Sequence, residues 1–341
     1  YGKSHGTPEA LIDALDADRP ATAHLWESAY DIERPYQDVT HDLGILSGDF
    51  SGDWGRLEVT YAFQINLRQE YEQVRSNITR SQYDFTLRTH SLDALYEHSD
   101  VDLGTVDLNG GLGIQGSFQE NVYTGLALIP NFRSVSGGIF AYERLSFDRI
   151  DVEAGARLDA LSRAAYMREP DYEAHIRRGS LNEQTCTDNG EKFRCAGDYT
   201  AASFSVGTLA HLVPDQLDLK LDLSTATRFP NVDELYILGY APTAPVYTSG
   251  YPELGTETVW NSSLTAGLRL DAVEAEISGY GQFVEDYIYF APELNELGAP
   301  HVDVTIRGAF PRYSFRAIEA LFYGVDGHLE IGPDSLFGLV L

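Results

Sequence analysis

The sequence predicts an all-β chain that forms an antiparallel transmembrane β-barrel, and three observations support this fold class. About twelve segments alternate strictly between apolar and polar residues, as strands with two different faces do. Most of these segments are 11 to 17 residues long, whereas strands of soluble domains centre near 5 or 6. Short turns and long polar segments alternate between them, which is typical of the two ends of a membrane barrel.

The segment 56–70 shows the alternation most clearly. Its apolar residues Leu57, Val59 and Tyr61 are separated by Glu58 and Thr60. In a membrane barrel, one of these two sets would face lipid and the other a wet lumen. The predicted strands are 37–50, 56–70, 82–96, 105–119, 134–146, 150–163, 199–212, 217–227, 257–270, 273–289, 313–331 and 336–341.

The connections give the expected organisation of the chain. The long polar connections, which we expect to be extracellular, are 71–81, 120–133, 164–198, 228–256 and 290–312. Residues 1–36 have some helical character and are expected to form an extracellular loop segment, whereas residues 37–341 are expected to form one barrel domain. No fixed sequence period is present, which argues against a propeller or a solenoid.

Composition and charge exclude several classes of protein. Against 52 Asp and Glu there are 24 Lys and Arg, so the formal net charge of −28 leaves no basic stripe for a nucleic acid. No apolar run approaches the roughly 20 residues of a membrane-spanning helix. The first residues, YGKSHGTPEALIDAL, lack the features of a signal peptide. The chain is therefore expected either not to be exported or to be a piece of a longer precursor.

The two cysteines lie in one polar loop. Cys186 and Cys195 enclose ten residues inclusive, in TCTDNGEKFRC, which suits a disulfide-bonded hairpin in an oxidising compartment. Two reduced thiols in a cytosolic loop are the alternative, and a metal-binding pair is a further one.

An aromatic-rich loop supplies the candidate ligand-binding residues. They are Arg228, Tyr236, Tyr240, Tyr247 and Tyr251, five side chains that could pair with and stack on an anionic aromatic chelate. The alternative is that the tyrosines belong to an interfacial aromatic girdle.

Other chemistry has little support in the sequence. His5, His24 and His41, with acidic residues around them, could contribute to capture of a divalent metal, although their spacing fits no compact motif and solvated loop histidines are the alternative. No nucleophile elbow, phosphate loop or Cys-x-x-Cys motif is present. The chain is therefore expected not to be an enzyme and to need no cofactor.

Five passages, in this order, resemble passages of TonB-dependent outer-membrane receptors. They are PYQDVTHDLGILSGDFSGDWGRLEVTYAFQINLRQEYE, ENVYTGLALIPNF with SVSGGIFAYERLSFDRIDVEAGARLD, TATRFPNVDELYILG, YPELGTETVWNSSLTAGLRL and FPRYSFRAIEALFYGVDGHLEI. The resemblance covers roughly residues 37–341. It implies a barrel fragment with about 12 of an expected 22 strands and with the N-terminal plug domain absent.

The resemblance also implies a function. Such a receptor lies in the outer membrane of a Gram-negative bacterium, contacts its lipid, and takes up a scarce solute such as a ferric siderophore or another metal chelate. The TonB–ExbB–ExbD complex would act through the missing plug. Where one subfamily continues its FRAPN segment with a Gly-x-His stretch, this chain reads ILGYAPTAPVY, so the resemblance does not imply zinc or copper.

Two other functions remain open at this point. A passive porin-like channel shares the alternation and the acidic lumen but needs no plug, so the family motifs favour a receptor. A soluble carbohydrate-binding or adhesive β-domain predicts shorter strands and an apolar interior, and the charged inner faces argue against it.

Overall fold

Most of the described residues belong to one sheet, and its long strands are antiparallel. The computed structural model describes residues 7–19, 34–71, 79–182, 185–240, 246–305 and 308–332. The elements in chain order are α1 (Pro8–Leu15), β1 (Tyr36–Gly52), β2 (Gly55–Tyr71), β3 (Tyr83–His98), β4 (Val101–Asp102), β5 (Asp107–Gly125), β6 (Asn131–Ser146), β7 (Ile150–Met167), α2 (Glu169–Arg177), β8 (Thr187–Asp188), β9 (Phe193–Val213), β10 (Leu217–Arg228), α3 (Val232–Tyr236), β11 (Leu238–Tyr240), β12 (Tyr247–Ser249), β13 (Glu257–Leu270), β14 (Val273–Pro292), β15 (Val302–Thr305) and β16 (Gly308–Ile331).

Eleven long strands form the body of the sheet. They contain between 12 and 24 residues each, and each pairs antiparallel with the next long strand along the chain, in the order β1-β2-β3-β5-β6-β7-β9-β10-β13-β14-β16. The predicted all-β fold and long strands are confirmed. The twelfth predicted strand, 336–341, lies outside the described residues. The prediction of a long connection over 120–133 is wrong, because β5 continues to Gly125 and β6 begins at Asn131.

The two faces of the sheet differ in polarity. Residues directly opposite each other on neighbouring strands share a face. Ile114, Ile139 and Leu158 follow one another in this way and are each at least half exposed, on what we call the outer face. On the opposite, inner face, Nη2 of Arg157 donates a hydrogen bond to Oδ1 of Asp159 at 2.6 Å. The same face carries a row of serines on β3, β5 and β6. An apolar exposed face and a polar inner face are typical of a barrel wall in lipid.

The sheet is open among the described residues. β1 pairs with β2 alone, and β16 pairs with β14, with β15, and over three residues with the parallel strand β12. The described residues contain no separate plug domain. No described helix combines the length and the apolar content required to cross a bilayer.

Helix α1 lies in the segment expected to have helical character. Thr7 caps it, since its Oγ1 accepts a hydrogen bond from the backbone N–H of Ala10 at 3.3 Å, and Pro8 occupies the first helical position. Leu11 is buried, and the helix lies against β16. The extracellular location of residues 1–36 stays a prediction.

Candidate functional site

The two ends of the sheet are built differently. At one end, the connections 53–54, 99–106, 147–149, 214–216 and 271–272 are short. At the other end, the connections 72–82, 126–130, 168–192, 229–256 and 293–307 contain helices α2 and α3 and the short strands β8, β11, β12 and β15. We call the described part of this second group, together with the strand ends that it covers, the mouth. The candidate functional site lies here, because all five predicted ligand-binding residues belong to it.

The mouth contains the main cluster of buried apolar side chains in the described chain. Its members come from the ends of β7, β9 and β14 and from the loops between strands: Ala165, Met167, Tyr172, Leu181, Cys186, Cys195, Val232, Leu235, Tyr236, Leu254 and Ile288. Loops that bury apolar side chains on one another form a packed layer. The long connections therefore fold into a layer at this end of the sheet.

Arg228 holds helix α3 to the sheet. Its guanidinium donates two hydrogen bonds to each of two carboxylates, Glu234 in α3 at 3.0 and 3.1 Å and Glu257 at the start of β13 at 3.0 and 3.1 Å. Glu234 also accepts the backbone N–H of Asn231 at 2.6 Å, which completes a capping box. Glu257 accepts the N–H of Ile288 at 2.7 Å. Two edges of the Arg228 guanidinium are thus occupied by carboxylates. Contact between Arg228 and a ligand stays a prediction.

The four predicted tyrosines occupy different environments. Tyr236 and Tyr247 are buried, and burial raises the pKa of Tyr236 to about 12. Tyr240 is half-buried, with its ring centroid 5.0 Å from that of Tyr247 and 4.5 Å from that of Phe310. Tyr251 is 42% exposed, and its hydroxyl donates to Glu253 at 3.0 Å. The structure brings Tyr240 and Tyr247 together and leaves Tyr251 at the surface.

A second charged cluster ties two loops together. Asp303 in β15 accepts hydrogen bonds from Arg178, which follows α2, at 2.6 Å, and from Arg312 in β16 at 2.8 and 2.9 Å. Burial alone would raise the pKa of Asp303, but the bonds from Arg312 and Arg178 outweigh burial and lower it below its usual value. The Arg178 guanidinium also lies 4.1 Å from the ring centroid of Tyr247. This cluster was not predicted, because its members are up to 134 positions apart in sequence.

A small cavity of about 120 Å³ opens between these loops. Its lining includes Tyr123, Leu128, Met167, His175, Tyr236 and Tyr247. Ligand pockets usually enclose about 300 to 1,000 Å³, whereas an apolar cavity of about 150 Å³ accommodates benzene. The cavity is smaller than both, so it does not enclose a whole metal chelate.

His175 is the titratable group buried most deeply in this lining. It is 3% exposed, its Nδ1 lies 2.9 Å from Ser180 Oγ, and burial lowers its pKa to about 4. In the unfolded chain the His175 imidazole binds a proton near pH 6.5, whereas in the folded mouth it stays neutral at that pH. The free energy of unfolding of the mouth therefore falls as the pH drops below 6.5.

Acidification from pH 7 to pH 5 is therefore expected to destabilise the mouth by about 2 kcal/mol through His175. Hydrogen exchange of the α2 amides at the two pH values measures this change, after correction for intrinsic exchange rates. In a His175→Gln variant this contribution should disappear, and an equal pH response in the variant would show that another group causes it.

The predicted metal candidates do not converge in the described chain. His5 and His24 lie outside the described residues. His41 is exposed on β1, with its Nδ1 3.3 Å from Nδ2 of Asn66. Within the ranges given above, no group of three or more His, Cys, Asp or Glu side chains is arranged to hold a metal ion.

The two cysteines form a disulfide in the apolar cluster of the mouth. Their Cα atoms are 4.3 Å apart, Cys195 is 1% exposed, and Cys186 is 8% exposed. Beside them, the rings of Tyr172 and Phe193 stack at a centroid distance of 3.8 Å. The bond therefore joins the 168–192 connection to the first residues of β9.

Comparison with known proteins identifies the family of this sheet and mouth. The model of the family described as TonB dependent receptor-like, beta-barrel, matches residues 7–338. The chain belongs to this family. Its members and their structural relatives are receptors and transporters rather than enzymes, and they are outer-membrane proteins of Gram-negative bacteria. The chain is accordingly an outer-membrane protein.

Solved structures of TonB-dependent receptors share the fold at low sequence identity. A double mutant of the Serratia marcescens hemophore receptor HasR, in complex with its hemophore and heme, is similar over 87% of this chain and 47% of its own, with TM-score 0.66 and 14% identity. The siderophore receptor PirA from Pseudomonas aeruginosa matches over 86% and 47%, with TM-score 0.61 and 11% identity. The FrpB iron transporter from Neisseria meningitidis matches over 86% and 42%, with TM-score 0.53 and 13% identity. The chain thus spans less than half of each of these structures.

One curated protein shows a short match of a different kind. A glycerol kinase from Acaryochloris marina is 45% identical over 74 residues, which are 21% of this chain and 13% of that protein. A match over so small a share of either chain indicates neither a kinase fold nor kinase activity.

Proposed function

We propose that this chain is the barrel part of a TonB-dependent receptor that takes up a scarce solute, with a ferric siderophore or another metal chelate as the leading candidate. The observation that carries the proposal is the family match over residues 7–338 of a long-stranded sheet. The similar structures add support, since they are a hemophore receptor in complex with its hemophore and heme, a siderophore receptor and an iron transporter.

The architecture suits this role. The polar inner face provides a lumen wall, and the mouth folds several loops into one layer above it. We propose that residues 1–36 belong to the extracellular side and residues 37–341 to the barrel. The TonB–ExbB–ExbD complex would supply energy through a plug domain, while outer-membrane lipid surrounds the outer face.

Two of the five predicted ligand-binding residues are best placed to meet a ligand. Tyr251 is 42% exposed, and Tyr240 is half-buried beside an aromatic group that includes Tyr247 and Phe310. Arg228, Tyr236 and Tyr247 are paired or buried, so we propose that they shape the mouth beneath the ligand. Aromatic side chains offer both a stacking surface and a hydroxyl group to a chelate.

Uptake of ⁵⁵Fe-loaded catecholate and hydroxamate chelates and of heme is the experiment that tests this function. The receptor is expressed as the sole uptake route in iron-starved cells, with and without a functional TonB. We expect saturable uptake of at least one of these probes only when TonB is present. Tyr251→Ala should raise the half-saturating concentration, whereas Tyr323→Ala, which removes a 79% exposed tyrosine from the outer face, should leave it unchanged.

Three outcomes would contradict the proposal. Non-saturable uptake that persists without TonB would instead indicate a passive channel. Failure of all the metal probes, while another solute is taken up in a TonB-dependent way, would refute the metal-chelate assignment and leave the receptor assignment standing. Equal effects of the two tyrosine variants would remove Tyr251 from the ligand contacts.

A further inference from the structure

Three charged side chains form a row on the outer face, where a membrane barrel normally presents apolar groups. Arg88 on β3 lies opposite Glu120 on β5, which lies opposite Arg133 on β6. Nε of Arg133 donates to Oε1 of Glu120 at 2.8 Å, and Nη1 of Arg88 is 3.7 Å from Oε2. We call these three residues the outer triad.

The outer triad has a net positive charge and faces outward. Two guanidinium groups meet one carboxylate, in a chain whose formal net charge is −28. The side chains of Arg133 and Arg88 are 64% and 46% exposed, whereas that of Glu120 is 23% exposed. An arginine carries five N–H donors, so donors remain on each guanidinium after it contacts Glu120.

The depth of the outer triad follows from its place along the strands. At the end with short connections, Tyr96 stacks on Trp54 with a centroid distance of 5.8 Å, as aromatic residues at a membrane interface do. Arg88 is eight residues from Tyr96 along β3. That separation is about 26 Å of strand and about 20 Å across the bilayer at the usual tilt.

The apolar band of a membrane barrel is about 25 Å tall, so the outer triad lies near its second boundary, on the side of the mouth. Outer-face residues below it include Phe118, Ile114, Val135 and Ile139, all of them exposed and apolar. Buried charge is expensive at the centre of a bilayer but costs little at its interface. The outer triad therefore lies just inside the boundary of the apolar band, where long arginine side chains reach the lipid headgroups.

We propose that the outer triad binds a phosphate group of an anionic glycolipid in the leaflet on the mouth side. Guanidinium groups match phosphate oxygens in charge and in planar, two-donor geometry. Glu120 lies on β5, between the two strands that carry the arginines, and competes with a phosphate group for part of their donors. The apolar residues below the triad lie where the acyl chains of the same lipid would run.

Lipid binding to the receptor purified from outer membranes in detergent tests this proposal. Native mass spectrometry is used to titrate the receptor with lipid A and with the same lipid after removal of both phosphates. Arg88→Gln combined with Arg133→Gln should weaken binding of phosphorylated lipid A about 30-fold and leave the dephosphorylated lipid unaffected. Arg269→Gln, which removes an exposed arginine at the other end of the sheet, should change neither.

Glu120→Gln is a second test variant, for which the proposal predicts a gain in lipid affinity. Misfolding would cause a loss of binding and could not produce that gain. The substitution removes the competing carboxylate and keeps both arginines, so it should tighten binding of phosphorylated lipid A several-fold. The proposal is overturned if the double arginine variant binds lipid A like the parent, or if it loses both lipids equally. Competition by millimolar inorganic phosphate that abolishes lipid binding altogether would also overturn it, because free phosphate would then be the preferred ligand.

Discussion

Replacing Arg228 with methionine is expected to destabilise the mouth by about 4 kcal/mol. The substitution leaves Glu234 and Glu257, whose side chains are 11% and 15% exposed, facing each other without a cation. Removing one partner from a buried ion cluster costs about 3 to 5 kcal/mol, because an uncompensated charge stays behind. Hydrogen exchange at the amides of Leu235 and Ile237, which close α3, measures the loss.

The control is an arginine of the same region that is paired at the surface. Arg177 contacts Glu173 one helical turn away in α2, with side chains 67% and 56% exposed, so Arg177→Met should cost less than about 0.5 kcal/mol. Adding Glu234→Gln and Glu257→Gln to Arg228→Met should restore part of the stability, since the two carboxylate charges that Arg228 compensates are then removed. Unchanged exchange in the Arg228→Met variant would mean that packing alone holds α3.

Removing the disulfide is expected to cost about 3 kcal/mol. The bond between Cys186 and Cys195 closes a segment of ten residues, and the entropy of closing a loop of this length in the unfolded chain gives that magnitude. Serine at both positions also replaces buried sulfur in the apolar cluster with hydroxyl groups, which adds to the loss. Thermal unfolding of the two-serine variant and of the parent, each in detergent, measures the difference.

Reductant supplies the control for this prediction. It should lower the unfolding temperature of the parent and leave that of the two-serine variant unchanged. If the parent is insensitive to a reductant that demonstrably reduces the bond, the disulfide does not stabilise the mouth.

The strands were predictable because lipid and lumen impose alternation on the membrane-spanning part of each one. Outside the bilayer this constraint is absent, and the alternation of apolar and polar residues is lost with it. Strand β9 was predicted over 199–212 and spans Phe193–Val213, while β5 was predicted over 105–119 and continues to Gly125. Apart from Val213, the residues missed at these strand ends lie at the mouth. There Asn121, for example, donates to the carbonyl of Pro130.

The site was less predictable, for a different physical reason. The aromatic loop is part of the mouth, and its role in ligand binding stays a prediction. The partners of its side chains are set by tertiary packing, which the sequence pattern does not show. Glu257 reaches Arg228 from 29 positions away, and Asp303 reaches Arg178 from 125 positions away. One local signal was present, since Glu234 stands three residues after Asn231 in a capping-box pattern that marks the start of α3. His175 lacked any such signal, because its pKa is lowered mainly by burial, which arises only when the mouth folds.

The direction in which the long strands run determines whether an even or an odd number of further strands can close the barrel. The described part of the chain contains eleven long antiparallel strands, so β1 and β16 both run from the mouth toward the short turns. A closed barrel in which every neighbouring pair is antiparallel has an even number of strands. The strands that complete this barrel must therefore be odd in number. The added strand next to β16 must run from the short-turn end to the mouth, and so must the added strand next to β1. A second copy in the same orientation would place β16 beside a β1 that runs parallel to it, and the seam between them would break the antiparallel pattern.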